Sequence, residues 1–263
     1  YLAMGHLGAD NVRRQFKGMV ERCADCGFDL AGGRVEVVPT AHYMMGGVVF
    51  APDTRTPLAA LFAAGEDNGG MHGANRLGGN GVANSTVFGG IAGDTMAAWV
   101  RREGAFRAPD ETAIAAAMKH AEAPFKQPVG DLEAVREALY DCMWADVGIL
   151  RTATSLQHGL RRLEELDALL SHTGVANVDR SFHMGWHDWL NLKNLIAVSR
   201  AIAQSALARE DSRGAHFRED FPDASDLDTS HYVVVRQRDD ALDLTREPVC
   251  FTRVAPGQSM LVD

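Results

Sequence analysis

The segment GGMHGANRLGGNG, residues 69–81, is the most informative part of the sequence. It contains six glycines around a single arginine, Arg76, and glycine both adopts unusual backbone dihedrals and lets a ligand approach the backbone closely. A run of mostly small residues from Val82 to Val100 follows, which predicts a helix that can pack closely on a sheet or a cofactor. The loop therefore leads into a helix N-terminus. Unpaired N–H groups and the positive end of the helix dipole favour a phosphate or another electron-rich group there.

Two further segments precede this loop. Leu61 to Ala64 reads as a short buried strand that ends at Gly65, which would place Glu66 at its carboxyl end. In open α/β sheets, ligands bind outside the carboxyl ends of the strands. Upstream lies HYMMGG, residues 42–47, in which a histidine is followed by an aromatic residue and two glycines. These features predict a ligand site, although each alone is also typical of a tight connection.

Long amphipathic patterns follow the glycine-rich region. Asp131 suits a helix N-cap, and apolar residues after it recur at three- and four-residue steps. A second helix is predicted over about 152–171, and a third over about 187–210 with Leu195, Val198, Ile202 and Ala206 facing inward. Three such helices with short connections predict an antiparallel bundle. Near the end, Tyr232–Arg236 reads as a strand, Asp239-Asp240 as a turn and Val249–Val254 as the returning strand.

Composition excludes several classes of protein. Of the 263 residues, 46% are hydrophobic and 23% are charged, as in a soluble globular protein. The formal net charge of −9 argues against a nucleic-acid partner, and no apolar run is long enough to predict a transmembrane segment. The four cysteines indicate neither a disulfide framework nor a metal site. We interpret Cys23 and Cys26 as two reduced thiols near a helix end.

Four ordered motifs carry a family resemblance. They are H-Y-x-M-G-G at His42, Tyr43, Met45, Gly46 and Gly47; A-x-G-E at Ala63, Gly65 and Glu66; H-G-A-N-R-L-G-G-N from His72 to Asn80; and S-R-G-A-H-x-R-x-D-x-P at Ser212, Arg213, Gly214, Ala215, His216, Arg218, Asp220 and Pro222. With these motifs the chain resembles the C-terminal part of the succinate dehydrogenase/fumarate reductase flavoprotein family, which also contains L-aspartate oxidase. Gly81 departs from the family, since many members have serine there.

The resemblance implies FAD as the cofactor and a role for each matched residue. Glu66 would accept hydrogen bonds from the flavin ribityl hydroxyls. Asn80, Gly81, Val82 and Ala83 would face the pyrimidine edge of the flavin. The substrate-binding residues would be His42 and Arg76, which would hold the carboxylates of a dicarboxylate such as succinate or fumarate. Arginine suits that role because its guanidinium pairs with a carboxylate through two parallel hydrogen bonds. Arg213 and His216 would tie the helical domain to the flavin domain. No catalytic residue and no metal ligand is assigned.

The resemblance also implies the domain organisation. The fold class would be α+β, with the C-terminal part of a FAD-binding α/β domain followed by an antiparallel helical bundle. Residues 1–38 would be the tail of a capping domain, 39–105 the C-terminal half of the FAD-binding domain, 106–227 the helical bundle, and 228–263 a β-hairpin and tail.

The chain lacks the glycine fingerprint that forms the adenine and pyrophosphate site in the family. In family members, the N-terminal part that contains this fingerprint also carries the arginine that acts as acid or base. We therefore expect a fragment of a FAD-dependent oxidoreductase that is inactive by itself and is completed by the N-terminal half. Two alternatives stay open: one component of a split flavoenzyme, and a non-catalytic assembly module. The resemblance further implies a partner that carries electrons, either an iron–sulfur protein or another electron-transfer protein. It implies a cytoplasmic location, or one peripheral to the inner face of the membrane.

Overall fold

The computed structural model describes residues 1–38, 42–105, 108–238 and 241–258. The chain divides into two compact units, Tyr1–Tyr43 and Met44–Asp263. In the first unit, two two-residue strands, β1 (Leu2–Ala3) and β2 (Arg34–Val35), pair antiparallel. Between them lie a 3-10 turn (Gly5–Leu7) and two helices, α1 (Ala9–Gln15) and α2 (Lys17–Asp25). The small core of this unit consists of Val12, Leu30, Ala31 and Val35.

The second unit begins with loops up to residue 79, and the strand predicted there is wrong. Phe62 forms only an isolated bridge with Arg55, and Leu61 is exposed. Since Leu61–Ala64 makes no other bridge within the described ranges, this short run lacks the partner that a strand requires. The small-residue helix is confirmed as α3, which spans Asn80–Glu103.

Four helices follow α3: α4 (Glu111–Ala121), α5 (Leu132–Ala145), α6 (Ala153–Ser171) and α7 (Met184–Ala208). A 3-10 turn, Ala123–Lys126, follows α4. Asp131 caps α5 as predicted, because its carboxylate accepts a hydrogen bond from the N–H of Ala134 at 3.0 Å. Helices α5, α6 and α7 all pack on one another. Their shared core consists of apolar side chains from each helix and from the connections between them, chiefly Val135, Leu139, Cys142, Leu156, Leu163, Leu170, Trp189, Leu192 and Ile196.

The inward face predicted for α7 is wrong at two of its four residues: Ala206 is buried and Ile202 packs against the core, as predicted. Leu195 and Val198 are exposed, whereas Trp189, Leu192 and Ile196 are buried. In the first part of the helix the buried face thus lies about one residue away from the predicted stripe. The reason is that apolar residues occur on every side of this helix, so periodicity alone does not select a face. The bulk of Trp189 decides it, and its indole N–H donates to the carbonyl oxygen of Leu170 at 3.0 Å.

The second unit ends in a two-stranded antiparallel sheet of β3 (His231–Arg238) and β4 (Ala241–Pro248). The first strand is confirmed. The returning strand was predicted at Val249–Val254, which is wrong, since β4 ends before Val249. The β-branched content of 249–254 drew the prediction, but pairing starts much closer to β3, with Arg238 opposite Ala241. The turn predicted at Asp239-Asp240 lies outside the described residues.

A buried arginine closes the ends of two helices. Arg218 is 1% exposed, and its Nη1 donates to three carbonyl oxygens at the C-terminus of α7, those of Ala206, Leu207 and Arg209. Its other nitrogens donate to Asp220 at 2.7 and 2.8 Å. Asp220 in turn accepts from the N–H of Ala153, the first residue of α6, at 2.8 Å. The positive group thus meets a helix C-terminus and the negative group a helix N-terminus, which is the favourable arrangement for both dipoles.

The connection between α5 and α6 joins the same region. Arg151 donates from Nε to the carbonyl oxygens of Val147 and Gly148, and its Nη1 lies 2.9 Å from Nδ1 of His216. We call Arg151, His216, Arg218 and Asp220 the polar junction. Through the fourth sequence motif it connects the C-terminus of α7, the N-terminus of α6 and the connection between α5 and α6.

Candidate functional site

Within the second unit, the segment that begins at Met44 lies beside the segment that carries Glu66. The N–H of Met44 donates to Oε1 of Glu66 at 2.9 Å. Val48 and Asn68 form a parallel bridge, in which the N–H of Val48 donates to Asp67 and the N–H of Gly69 donates back to Val48. A Cβ at Gly47 would collide with the carbonyl oxygen of Asp67, so glycine is required for this approach. Glu66 is thus held against residues 44–48 rather than at the end of a strand.

The glycine-rich loop ends at the N-terminus of α3, as predicted. Its N-cap is Gly79 in the left-handed conformation (φ 84°), which a residue with a side chain adopts only with strain. A glycine cap offers no side chain to accept hydrogen bonds from the first turn. A Cβ at Gly78 or Gly79 would meet no atom within 4 Å, so the backbone here faces open space. Of the four residues predicted to face a flavin, Asn80 and Gly81 open the helix, and Val82 and Ala83 complete its first turn.

Asn84 joins the loop to the Glu66 segment, and the sequence prediction missed it. Its side-chain nitrogen donates to the carbonyl oxygen of Gly65 at 3.0 Å and lies 3.3 Å from Nε2 of His72. Asn84 and Ala92 are the buried residues of α3. The available signal was a carboxamide among mostly small residues, about one turn after the glycine cap.

The two predicted substrate residues fall in different units. His42 is exposed and lies in the first unit. Arg76 is half-buried in the second unit, and its Nη1 donates to the carbonyl oxygen of Leu77 at 3.2 Å. This bond orients the guanidinium along its own loop. Each residue is thus placed within its unit, and their joint action stays a prediction.

The fourth motif reaches the Arg76 loop. Arg213 and His216 exchange two backbone hydrogen bonds of 2.9 Å, and the intervening Gly214 has φ 56°. At the tip of this turn, the N–H of Ala215 donates to the carbonyl oxygen of Ala74 at 3.2 Å. Arg213 and His216 were predicted to tie the two regions together, but the backbone of the residues between them makes the contact.

His216 is electrostatically unusual. Burial first, and then the neighbouring positive charge of Arg151, lower the pKa of His216 from its ordinary value of 6.5 to about 4. The ring is therefore neutral at pH 7. Its Nδ1 faces the Arg151 guanidinium and must accept from it, which leaves Nε2–H to donate to the carbonyl oxygen of Arg209 at 3.4 Å.

Comparison with known proteins agrees with these motifs. The sequence profile of the family described as fumarate reductase flavoprotein C-term matches residues 136–260, and that of the FAD binding domain matches residues 1–82. No helix within the described residues is long and apolar enough to cross a membrane.

Three curated relatives are similar over most of this chain. One component of the CoM/CoB fumarate reductase of Methanothermobacter marburgensis is 36% identical over 234 residues, which cover 85% of this chain and 40% of that protein. The fumarate reductase flavoprotein of Mycobacterium tuberculosis is 32% identical and covers 98% of this chain and 46% of its own length. L-aspartate oxidase 1 of Ralstonia nicotianae is 35% identical, with coverages of 84% and 40%. The chain thus spans less than half the length of these relatives.

Solved structures share the fold. A structure of the quinol fumarate reductase of Escherichia coli superposes with a TM-score of 0.86 at 28% identity and covers 98% of this chain and 45% of that chain. The Mycobacterium smegmatis Sdh1 complex in its apo form gives a TM-score of 0.82 at 33% identity, with coverages of 94% and 43%.

The fold and its motifs define a flavoprotein, and FAD is its cofactor. More narrowly, the chain belongs to the family of the fumarate reductase and succinate dehydrogenase flavoproteins, to which L-aspartate oxidase is also related. The predicted fold class is confirmed: part of a FAD-binding domain is followed by a helical C-terminal domain. The residues of the chain fit one side of such a cofactor, because the glycine-capped N-terminus of α3 faces open space and Glu66 lies on the adjoining segment.

Proposed function

We propose that this chain forms part of a FAD-dependent oxidoreductase that transfers a hydride between the flavin and a dicarboxylate of the succinate or fumarate type. One observation carries the proposal: a single short loop presents both a half-buried arginine and a glycine-capped helix N-terminus. The first suits a carboxylate and the second an electron-rich ring. Flavoproteins named for fumarate reduction, succinate dehydrogenation and aspartate oxidation are among the relatives, which supports this substrate class.

The residues of this chain would bind the dicarboxylate substrate and polarise it. When bound, the flavin supplies or accepts the hydride. Arg76 would pair with one substrate carboxylate, and its fixed positive charge would stabilise negative charge that develops as an alkene accepts a hydride. His42 would bind a carboxylate as well. Reduction of the alkene also requires a proton, and no residue of this chain is assigned to deliver it.

Cofactor binding is divided among neighbouring segments. Glu66 would accept hydrogen bonds from the ribityl hydroxyls, while its Oε1 also holds the N–H of Met44. The first turn of α3, residues 80–83, would present N–H groups and the positive end of the helix to the pyrimidine edge, where a reduced flavin carries negative charge. An iron–sulfur protein or another electron-transfer protein is the proposed electron partner, and a cytoplasmic or membrane-peripheral location follows from that assembly.

The test is Arg76→Gln in the full-length protein. We expect the variant to keep its flavin, seen as an unchanged absorption band after desalting, and to lose dicarboxylate turnover. Arg101→Gln is the matched control, because Arg101 is an exposed arginine in the last turn of α3 and should leave turnover unchanged. Unchanged turnover in Arg76→Gln would refute the substrate assignment. A wild-type protein that binds FAD but neither oxidises succinate nor reduces fumarate would favour the assembly-module alternative.

A further inference from the structure

The loop that carries Arg76 needs anchors outside itself. Five of the eleven residues from Gly69 to Gly79 are glycines, and Gly70, Gly73 and Gly79 have positive φ. Glycine loses more conformational freedom on ordering than any other residue, so this loop is costly to hold in one conformation. At one end, His72 lies beside Asn84 of α3. On the other side, the loop contacts the turn Arg213–His216.

The contact between the turn and the loop is close and is made by backbone atoms. The N–H of Ala215 donates to the carbonyl oxygen of Ala74, two residues before Arg76, at 3.2 Å. A Cβ at Gly214 would overlap the same oxygen and would lie 2.9 Å from the Cβ of Ala74. Real Cβ atoms do not tolerate such contacts, so only glycine lets the turn reach the loop. The φ of 56° at Gly214 gives a second reason for glycine at this position.

The turn is itself firmly held. The Arg213 guanidinium donates to the carbonyl oxygens of Ala224 and Asp226 and to Oγ of Ser230, at 2.6 to 2.9 Å. It also lies 3.6 Å from Asp211, whose side chain is 5% exposed. On its other flank, His216 belongs to the polar junction. The turn is therefore held rigidly and contacts a loop whose glycine content makes it flexible. This is the arrangement expected when one segment positions another.

From this geometry we infer that Gly214 and Ala215 are positioning residues for Arg76. The helical domain sets the place of the substrate-binding guanidinium by fixing the backbone at Ala74. The inference rests on the proposed function, since it concerns the same dicarboxylate site. A misplacement of about 1 Å at a binding group can cost roughly a hundredfold, so a small shift at Ala74 has a large expected effect.

The experiment uses Gly214→Ala in the full-length protein with FAD bound. The probe is malonate, a dicarboxylate whose single methylene cannot be dehydrogenated to an alkene, titrated by its perturbation of the flavin absorption band. We expect the Kd for malonate and the KM for succinate to rise at least tenfold, while flavin content and flavin absorption stay unchanged and kcat falls less than KM rises. A merely structural role would lower stability or flavin content without raising KM more than it lowers kcat.

Two further variants keep the test decisive. Gly257→Ala also introduces a side chain at positive φ (79°), but its Cβ would meet no atom within 4 Å, so it should leave malonate binding unchanged. If Gly214→Ala does not fold, Ser230→Ala decides. It removes one 2.6 Å bond from Arg213 and should weaken malonate binding about three- to fivefold.

Wild-type malonate affinity in a folded Gly214→Ala, or in Ser230→Ala where that variant decides, would overturn the inference while leaving the proposed function intact. A wild-type protein that binds FAD but neither malonate nor succinate would overturn both.

Discussion

The side-chain amide of Asn84 donates a hydrogen bond to the carbonyl oxygen of Gly65 at 3.0 Å and so ties α3 to the residue before Glu66. Asn84→Ala removes this bond, so the carbonyl oxygen of Gly65 keeps only its longer bond from the N–H of Asn68 at 3.3 Å, a loss of about 1 kcal/mol. We expect roughly fivefold weaker FAD binding, measured by flavin fluorescence during titration of the apoprotein. Thr86→Ala, an exposed change two residues on, is the control and should bind FAD as the wild type does. Equal affinities for both variants would show that Asn84 does not support the cofactor segment.

Glu66 is predicted to bind the cofactor through its charge as well as its position. Glu66→Ala should weaken FAD retention at least tenfold, because hydrogen bonds to a charged group contribute about 1.5–3 kcal/mol. Glu66→Gln keeps an oxygen that can accept the hydrogen bond from Met44. This variant should therefore lose less FAD than Glu66→Ala, and its loss of FAD should reflect the missing charge alone. The measurement is the flavin content after extensive dialysis, with Asp67→Asn as an exposed control. Full retention of FAD by Glu66→Ala would count against this role.

The core of the helical bundle should respond to truncation according to burial. Leu163 is fully buried in α6, whereas Leu169 of the same helix is 54% exposed. Leu163→Ala should lower the free energy of unfolding by about 3 kcal/mol through lost apolar burial and a residual cavity. Leu169→Ala should change it by less than about 0.5 kcal/mol. Urea denaturation followed by circular dichroism measures both, and similar costs would contradict the assignment of the inward face of α6.

His216 should make stability depend on pH. Its pKa is about 4 in the folded chain against 6.5 ordinarily, so between these values the unfolded chain binds more protons. The free energy of unfolding should therefore be fully retained above about pH 6.5, should fall as the pH decreases towards 4, and should level off below that. The expected fall is about 2 kcal/mol, less than the roughly 3 kcal/mol of the full shift, because the ring is only partly buried. Asp220 does not contribute in this window, since its pKa is lowered from 3.8 by Arg218 and its contribution is lost only at still lower pH.

The check is urea denaturation at several pH values for the wild type and for His216→Gln. The glutamine cannot titrate, so its stability should change less between pH 6.5 and 4 than that of the wild type. Parallel pH profiles for the two proteins would rule out His216 as the source.

The features that depend on residues within a single helix were predicted correctly from the sequence. Asp131 caps its helix as a side-chain acceptor, and the helix predicted over about 152–171 is α6, because caps and periodicity act within one helix. The sequence failed where other parts of the fold decide. Leu61–Ala64 is apolar but lacks a paired strand, and α7 has apolar residues on every side.

The same reasoning applies to the candidate site. Its motif residues could be named from the glycine spacing and the family resemblance. Asn84 and Gly214, which hold the loop from two sides, could not be assigned that role, since their importance depends on which backbone lies beside them. The roles of His42 and Arg76 as a pair stay a prediction.

The polar junction bears on how the bundle opens. The C-terminal end of α7 and the segment beyond the end of α5 are linked through His216, which lies 2.9 Å from Arg151 and 3.4 Å from the carbonyl oxygen of Arg209. Unfolding the last turn of α7 therefore also removes a partner of Arg218. Fraying of single helix ends, which is ordinarily the cheapest fluctuation of a bundle, is therefore suppressed here. The two ends should exchange their amide hydrogens as one cooperative unit with a common opening free energy. The segment that follows α7 thus restrains the end of that helix, and the Arg76 loop is hydrogen-bonded to the same segment.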